Sequence, residues 1–127
     1  MEKLTEKNIV DYWLKEFPEF KKAPHFYEES RGTPYWLIGD FVIYVRDVLL
    51  RDMEENKKQI EQDPFILRLF SRLNDIFNGV IRADEYVLTL LHVECFEGFE
   101  ESDTLKRVAL SLLKDNALKE FKEMLDK

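Results

Sequence analysis

The chain has 127 residues, of which 45% are hydrophobic and 35% charged, and its formal net charge is −7. This hydrophobic content is too high for a disordered chain, and the length suits one domain with one core. The negative charge repels phosphate groups, which argues against binding of nucleic acid and against attachment to a membrane through a basic face. An enzyme or a protein-binding module remains, and the charge favours a basic protein partner.

Nothing in the sequence directs the chain to a membrane or out of the cell. Its apolar runs are shorter than the ~20 residues that span a bilayer. The first ten residues, MEKLTEKNIV, lack the apolar segment of a secretory signal. Cys95 is the only cysteine, which excludes an internal disulfide framework and indicates a small buried thiol. We therefore expect a cytoplasmic protein.

The hydrophobic residues of the first third recur mainly at helical spacing. Thr5 is suited to cap a first helix, along which Ile9, Trp13 and Phe17 recur every three or four residues. Residues 23–34 contain two prolines and a glycine without a clear period. This composition predicts a loop between the first helix and the next element.

Residues 35–45, YWLIGDFVIYV, admit two interpretations. Gly39-Asp40 is an acceptable two-residue turn between two apolar runs, which predicts a small β-hairpin. Alternatively, Asp40 caps a helix that continues through RDVLLRDMEENKK. We favour the helix, because one element then accounts for the whole segment. The stripe of this helix would comprise Phe41, Val45, Val48 and Leu49, with Asp52 at its solvent edge.

Four further helices are predicted from residue 63 onward, because apolar stripes are bounded there by capping residues and helix breakers. These signals are Asp63-Pro64, Gly79, Asp84, Ser102 or Asp103, and Asp115-Asn116. Short connections between consecutive helices are typical of antiparallel neighbours. We therefore predict an all-α or mostly α fold in which residues 1–127 form a single helical domain. It would be a bundle or a short α-solenoid of about six helices.

The sequence lacks the compact motifs of metal, nucleotide and hydrolase sites. His25 and His92 are the only histidines and lie far apart, and no glycine-rich phosphate loop occurs. His92 falls in an apolar helix pattern and is interpreted as a core or edge histidine. We expect no catalytic constellation, no metal and no cofactor.

Two carboxylates are the remaining candidates for catalysis. Glu94 and Glu97 are three residues apart on one predicted helix, so their side chains are neighbours. One protonated and one ionised carboxyl group could act as general acid and base. The competing interpretation is that they mark the exposed seam of the helix or pair with an arginine such as Arg68, Arg72 or Arg82.

The acidic residues cluster in one part of the chain. Residues 83–105 contain seven carboxylates and no lysine or arginine, a charge that equals the net charge of the whole chain. Asp84, Glu85 and Asp103 suit helix N-termini, where acids interact well with the helix dipole. We call the following five residues the acidic corner: Glu94, Glu97, Glu100, Glu101 and Asp103. This corner is either solvated surface or a docking site for a basic partner.

Aromatic residues crowd a second region. Ten of the seventeen lie between Tyr12 and Tyr44, and Phe26, Tyr27, Tyr35 and Trp36 fall in or beside the predicted loop. Rings with an apolar body and a polar tip suit protein interfaces. The alternative is that the loop folds back and these rings cap the core. If they face outward, Tyr27, Tyr35 and Trp36 are candidate contacts for a partner.

Three segments resemble those of small, uncharacterised bacterial proteins that look like immunity factors of toxin–immunity systems: IGDFVIYV, FNGVIRADEYVLTLLHVECFEGFEE and VALSLLKDNALKEFKEML. In such proteins a "GDF" turn enters a helix, and a central apolar helix ends in an F-E-x-[FL] pattern that residues 96–99 match. Lys114-Asp115-Asn116 stands where they have a Gly-Pro turn. The resemblance implies binding and inhibition of a toxin domain without enzymatic activity. The alternatives are an enzyme that uses Glu94, Glu97 or His92, and a homo-oligomeric structural protein.

Overall fold

The computed structural model describes residues 2–127, apart from the side chain of Val48. The helices are α1 (Ile9–Glu16), α2 (Pro34–Tyr44), α3 (Leu50–Glu55), α4 (Pro64–Phe77), α5 (Glu85–Leu91), α6 (Glu97–Glu100), α7 (Asp103–Leu112) and α8 (Asp115–Leu125). Two π-helical turns, Val45–Leu49 and His92–Phe96, join α2 to α3 and α5 to α6, so the eight segments form six continuous helices. Within the described residues there is no strand, which confirms the all-α prediction. No helix among them is both long and apolar enough to cross a membrane.

Three short 3₁₀ helices complete the secondary structure: Pro18–Lys22, Glu28–Gly32 and Ile60–Gln62. The first two divide the segment between α1 and α2, which the sequence predicted to be a loop from residue 23 to 34. Each is a short segment of three to five residues between longer helices. The aromatic residues of this segment are therefore held in place on both sides by short turns.

The hairpin alternative for residues 35–45 is wrong, and the helix begins earlier than predicted. It starts at Pro34, whose fixed φ suits a first helical position, rather than at Asp40. Gly39 and Asp40 lie inside α2. Leu37, Ile38 and Phe41 are among its buried residues, and this packing outweighs the low helix propensity of glycine.

The stripe predicted for the second helix shifts after its π-helical turn. Val45 is buried as expected, but Leu49 is only partly covered, and Leu50 and Met53 are buried beyond it. A π turn takes one more residue than an α turn, so it rotates the following residues relative to the core. Asp52 is exposed, as predicted. The prediction for Val48 lies outside the described side chains.

Most of the predicted helix caps are confirmed. Asp63 accepts hydrogen bonds from the backbone N–H groups of residues 65 and 66, Asp84 from that of residue 87, and Ser102 from that of residue 105. Gly79 follows α4 with φ +82°, a conformation that favours glycine. Thr5 is not the cap of α1, because the helix starts at Ile9, and Asn8 folds back to accept a bond from the Thr5 backbone N–H at 2.7 Å.

The buried side chains form one continuous core with many aromatic contacts. In the first half of the chain, the ring of Phe17 lies 4.9 Å from that of Trp13 and 5.2 Å from that of Phe41, measured between centroids. In the second half, Phe96 stacks on Phe77 at 4.6 Å. Such pairs contribute about 0.5–1.5 kcal/mol each beyond the burial of their area. This core fixes α2 against the helix that carries the acidic corner.

Candidate partner-binding site

The candidate site lies where α2 packs against the second π-helical turn and α6. Two glycines allow this close approach. A Cβ atom at Gly39 would lie 2.9 Å from Oε2 of Glu94, and one at Gly98 would lie 2.8 Å from Cγ1 of Val42. Both distances are shorter than ordinary van der Waals contact. Each helix therefore has a glycine at which a side chain of the other helix packs against its backbone. A crevice lies along this line of contact.

Two adjoining hollows form this crevice. The larger, of about 480 Å³, is called the aromatic hollow; its lining includes Tyr27, Glu29, Tyr35, Trp36, Asp40 and Glu94. The smaller, of about 270 Å³, is called the acidic hollow; its lining includes Arg46, Val93, Glu94, Glu97 and Glu101. Both hollows share Gly39, Ile43 and Glu94. The fold thus joins the two regions that the sequence singled out, the loop aromatics and the acidic corner.

The loop aromatics divide between the two predicted roles. Trp36 is 68% exposed and Tyr27 is 54% exposed, so both present their rings to solvent at the rim of the aromatic hollow. Tyr35 is partly buried and meets Tyr86 edge to face at 5.8 Å. Phe26 packs edge to face on a buried ring at 5.5 Å. Phe26 and Tyr35 therefore cap the core, whereas Tyr27 and Trp36 are available to a partner.

Three of the five residues of the acidic corner line the crevice. Glu94 belongs to both hollows, and Glu97 and Glu101 line the acidic hollow. Glu100 and Asp103 are exposed and do not belong to the lining of either hollow. Asp103 occupies the first turn of α7, where a carboxylate stabilises the helix. Glu100 and Asp103 therefore add negative charge near the crevice but do not form its walls.

Arg46 is a component of the site that the sequence did not predict. Its Nη1 donates to Oε2 of Glu101 at 2.8 Å, and its Nε donates to Oδ1 of Asp47 at 3.1 Å. Arg46 lies in the first π-helical turn, far from the acidic corner in sequence. The charge of Glu101 is thus partly compensated within the fold.

The arginine pairing that the sequence suggested for Glu94 or Glu97 is wrong. Arg68 binds Glu19 at 2.7 Å, and Arg72 binds Asp75 at 2.8 Å, so both are engaged on the face between α1 and α4. Among the described residues, Glu94 takes part in no ion pair with an arginine or lysine. No arginine or lysine of the described residues therefore compensates the charge of Glu94 in the crevice.

His92 is an edge histidine, as one of the sequence interpretations expected. Its Nδ1 lies 2.9 Å from Oε2 of Glu120 on α8, and its Nε2 lies 3.8 Å from Oε2 of Glu97. Both ring nitrogens therefore face carboxylates. The contact with Glu120 ties the helix that bears Glu97 to α8.

Burial at the seam changes the acidity of two carboxyl groups. Desolvation raises the pKa of Glu94 above its ordinary value, and the charges of Glu97 and Asp40 raise it further. Desolvation likewise raises the pKa of Asp40, against an opposing effect of His25. Asp40 is the second residue that sequence reasoning missed, because it was interpreted as a helix cap.

Cys95 is a buried thiol beside these carboxyl groups. It is fully buried, and desolvation together with the charge of Glu94 raises its pKa. The thiolate is the reactive form of cysteine, so this residue is inert in the folded protein. No group of three or more histidine, cysteine, aspartate or glutamate side chains is arranged to hold a metal ion in the part of the chain that the structure describes.

No protein-family model, curated protein or solved structure matches this chain. A fold alone does not identify a function, since unrelated functions share the same helical architectures. The chemistry of the crevice and its surroundings is therefore the main indication of function.

Proposed function

We propose that this chain is a non-enzymatic binding protein of the immunity type, which neutralises a basic toxin domain such as a nuclease. The observation that supports it most is the meeting of exposed Trp36 and Tyr27 with Glu94 in one hollow, next to the rest of the acidic corner. Large exposed aromatic residues beside a polar rim are typical of protein interfaces.

The two parts of the site have different roles in this proposal. The carboxylates of the acidic corner attract a basic partner and accelerate its association, because electrostatic complementarity acts mainly on the on-rate. In the proposed complex with a nuclease, these carboxylates would take the place of the phosphate groups of the nucleic acid. The aromatic rings are buried on contact and slow dissociation, because buried aromatic side chains are among the residues whose truncation most often costs about 2 kcal/mol or more.

An enzyme that uses Glu94, Glu97 or His92 is the alternative, and the raised pKa of Glu94 is the observation in its favour. The packing of Glu94 against Gly39 accounts for this rise without catalysis, because it removes water from the carboxyl group. A general acid would give an activity whose pH profile follows the pKa of Glu94. Such an activity in the purified chain, lost in Glu94→Gln, would establish the enzyme instead.

A homo-oligomeric structural protein is the third class. Exposed hydrophobic side chains outside the crevice would supply its contacts: Leu67, Val80 and Leu110. Sedimentation velocity distinguishes this class, because the binding-protein proposal expects a species whose mass depends on the partner rather than on the concentration of the chain alone.

The proposal is tested by capturing the partner and assaying it. The purified chain is used as bait for the protein encoded beside its own gene, and the toxicity of the captured domain is measured with and without the chain. We expect a basic domain whose toxicity falls to background at stoichiometric ratio. A captured partner that is acidic, or that stays fully toxic when saturated with the chain, would contradict the proposal.

A further inference from the structure

The aromatic hollow combines aromatic rings with carboxyl groups from separate elements. Glu29 lies in the second 3₁₀ helix, Asp40 in α2 and Glu94 in the second π-helical turn. Trp36 and Tyr27 line the same hollow and are its most exposed rings. No lysine, arginine or histidine belongs to the described lining. The hollow therefore has a negative interior and an open aromatic rim.

The chain already binds its own arginines with this combination of groups. The guanidinium of Arg68 lies over the rings of Phe17 and Phe65, at 5.7 and 5.5 Å from their centroids, while it pairs with Glu19 at 2.7 Å. An aromatic face and a carboxylate thus hold one guanidinium from two sides. Arg31 repeats the arrangement, with its guanidinium 5.8 Å from the centroid of Phe26 and its Nε 2.7 Å from a carboxylate oxygen of residue 28.

The adjoining acidic hollow contains its own cation, and the aromatic hollow does not. Arg46 donates to Glu101 and Asp47 in the acidic hollow. Among the described residues, Glu29, Asp40 and Glu94 make no ion pair. Charge complementarity therefore selects a cation as the occupant of the aromatic hollow.

We propose that the aromatic hollow receives one arginine side chain of the protein partner, with its guanidinium stacked on Trp36 and bonded to Glu94. This inference rests on the proposed function, because it supplies the partner's contact residue. A planar guanidinium stacks on an aromatic ring and donates two parallel hydrogen bonds to one carboxylate. A lysine ammonium is a compact, strongly hydrated charge that cannot do both. The hollow thus prefers arginine to lysine.

The experiment titrates the full chain with a short peptide, acetyl-Gly-Arg-Gly-amide. Binding is measured by NMR as the change in chemical shift of the indole N–H of Trp36. The chain has two tryptophans, and Trp13 is fully buried, so its resonance serves as an internal reference. We expect a saturable shift of the Trp36 resonance with the arginine peptide. The lysine peptide should bind at least about fivefold more weakly, and the neutral citrulline peptide should cause no saturable shift.

Two variants and a matched control assign the effect to the hollow. Glu94→Gln and Asp40→Asn should each weaken binding of the arginine peptide at least about fivefold, whereas Glu54→Gln, which removes an exposed acid of α3, should leave it unchanged. An unchanged Trp13 resonance confirms that each variant is folded. Equal binding of the arginine and citrulline peptides, or equal losses in all three variants, would overturn the inference.

The outcome is separable from that of the proposed function. The peptide titration needs no partner. A failure to bind the arginine peptide would therefore reject the arginine-binding hollow, while toxin inhibition through the acidic corner would still be tested by the capture assay. Conversely, arginine binding in a chain that inhibits no toxin would keep the pocket and reject the immunity role.

Discussion

Glu94 is one of the three residues that the two hollows of the crevice share. Its carboxyl group lies against Gly39 on the neighbouring helix, and this contact removes part of its water. The negative charges of Glu97 and Asp40 repel the ionised form of the same group and raise its pKa further. A cation bound there would relieve this repulsion, which is why the ionised form is suited to a basic partner.

The ionised form of Glu94 should therefore destabilise the free protein. Its pKa in the folded chain lies above the ordinary value of 4.5, so the folded state binds the proton more tightly than the unfolded state. Stability then falls as the pH rises through the range above 4.5. We expect Glu94→Gln to unfold at a higher denaturant concentration than the natural chain at pH 7, with a gain that shrinks at about pH 5.

Urea unfolding of the two proteins at both pH values measures this difference. Glu54→Gln is the control, because Glu54 is exposed and belongs to neither hollow. A destabilised Glu94→Gln at pH 7, or a gain that does not depend on pH, would show that the environment of Glu94 has been misassigned.

Some residues of the site could be predicted from the sequence and others could not. Trp36 and Glu94 were predicted because local composition marks them, an aromatic cluster and an acidic window without cations. The sequence interprets Asp40 either as part of a hairpin turn with Gly39 or as a helix cap, whereas it lies inside α2 and lines the aromatic hollow. Arg46 was missed because it meets Glu101 through packing between distant segments, a contact that no local pattern encodes.

At the scale of the elements, the two π-helical turns set the geometry of the crevice. One turn carries Arg46 and the other carries Glu94, and each lies within an otherwise continuous helix. π turns are short insertions that often occur at functional sites. Periodicity predicts the helices around them, but an insertion of one residue leaves no signal in so short a segment. The caps at Asp63, Asp84 and Ser102 were predictable, because capping is a local hydrogen bond.

The crossing of α2 and α6 should be sensitive to the size of residue 98. A methyl group at Gly98 would press on Cγ1 of Val42 at 2.8 Å. Overpacking costs about 1–3 kcal/mol, and alanine regains roughly 0.8–1 kcal/mol of helix propensity. We expect Gly98→Ala to lower the free energy of unfolding by about 1 kcal/mol net, measured by denaturant titration.

A double-mutant cycle isolates this contact. In Val42→Ala, which removes Cγ1, Gly98→Ala should become neutral or stabilising. Gly32→Ala is the control, because a Cβ atom there meets nothing within 4 Å, and its effect should stay within about 0.5 kcal/mol. The same cost for Gly98→Ala in both backgrounds would mean that Val42 is not the obstacle.

At the scale of the whole molecule, the thiol of Cys95 reports how the core opens. The residue is fully buried at the centre of the helix that lines the crevice. Because its pKa is raised and the thiolate is the reactive form, we expect labelling by a thiol reagent to be at least about 10³-fold slower in the folded than in the unfolded chain. Labelling should accelerate with denaturant in parallel with global unfolding. Rapid labelling without denaturant would reveal local opening at the crevice instead.

The fold class could be predicted because hydrophobic periodicity and capping act all along the chain. The proposed binding role depends on charge, which is distributed less evenly along the chain. The carboxylates of residues 83–105 match the whole net charge of −7, and the described fold places only Arg46 among them in the acidic hollow. Charges concentrated on one side of a molecule orient an approaching partner as well as attracting it. The rate of association with a partner should therefore depend more on the position of the charges than on the net charge.

Association kinetics with the captured partner test this central claim most directly. The corner variant combines Glu97→Lys, Glu100→Lys and Glu101→Lys. The control variant combines Glu54→Lys, Glu55→Lys and Asp126→Lys, and it changes the net charge equally at exposed positions elsewhere. At low salt the corner variant should associate at least about tenfold more slowly than the natural chain, and the control much less so. Salt should reduce the difference, because it screens exposed charges. An unchanged association rate in the corner variant, or an equal loss in both variants, would contradict the account.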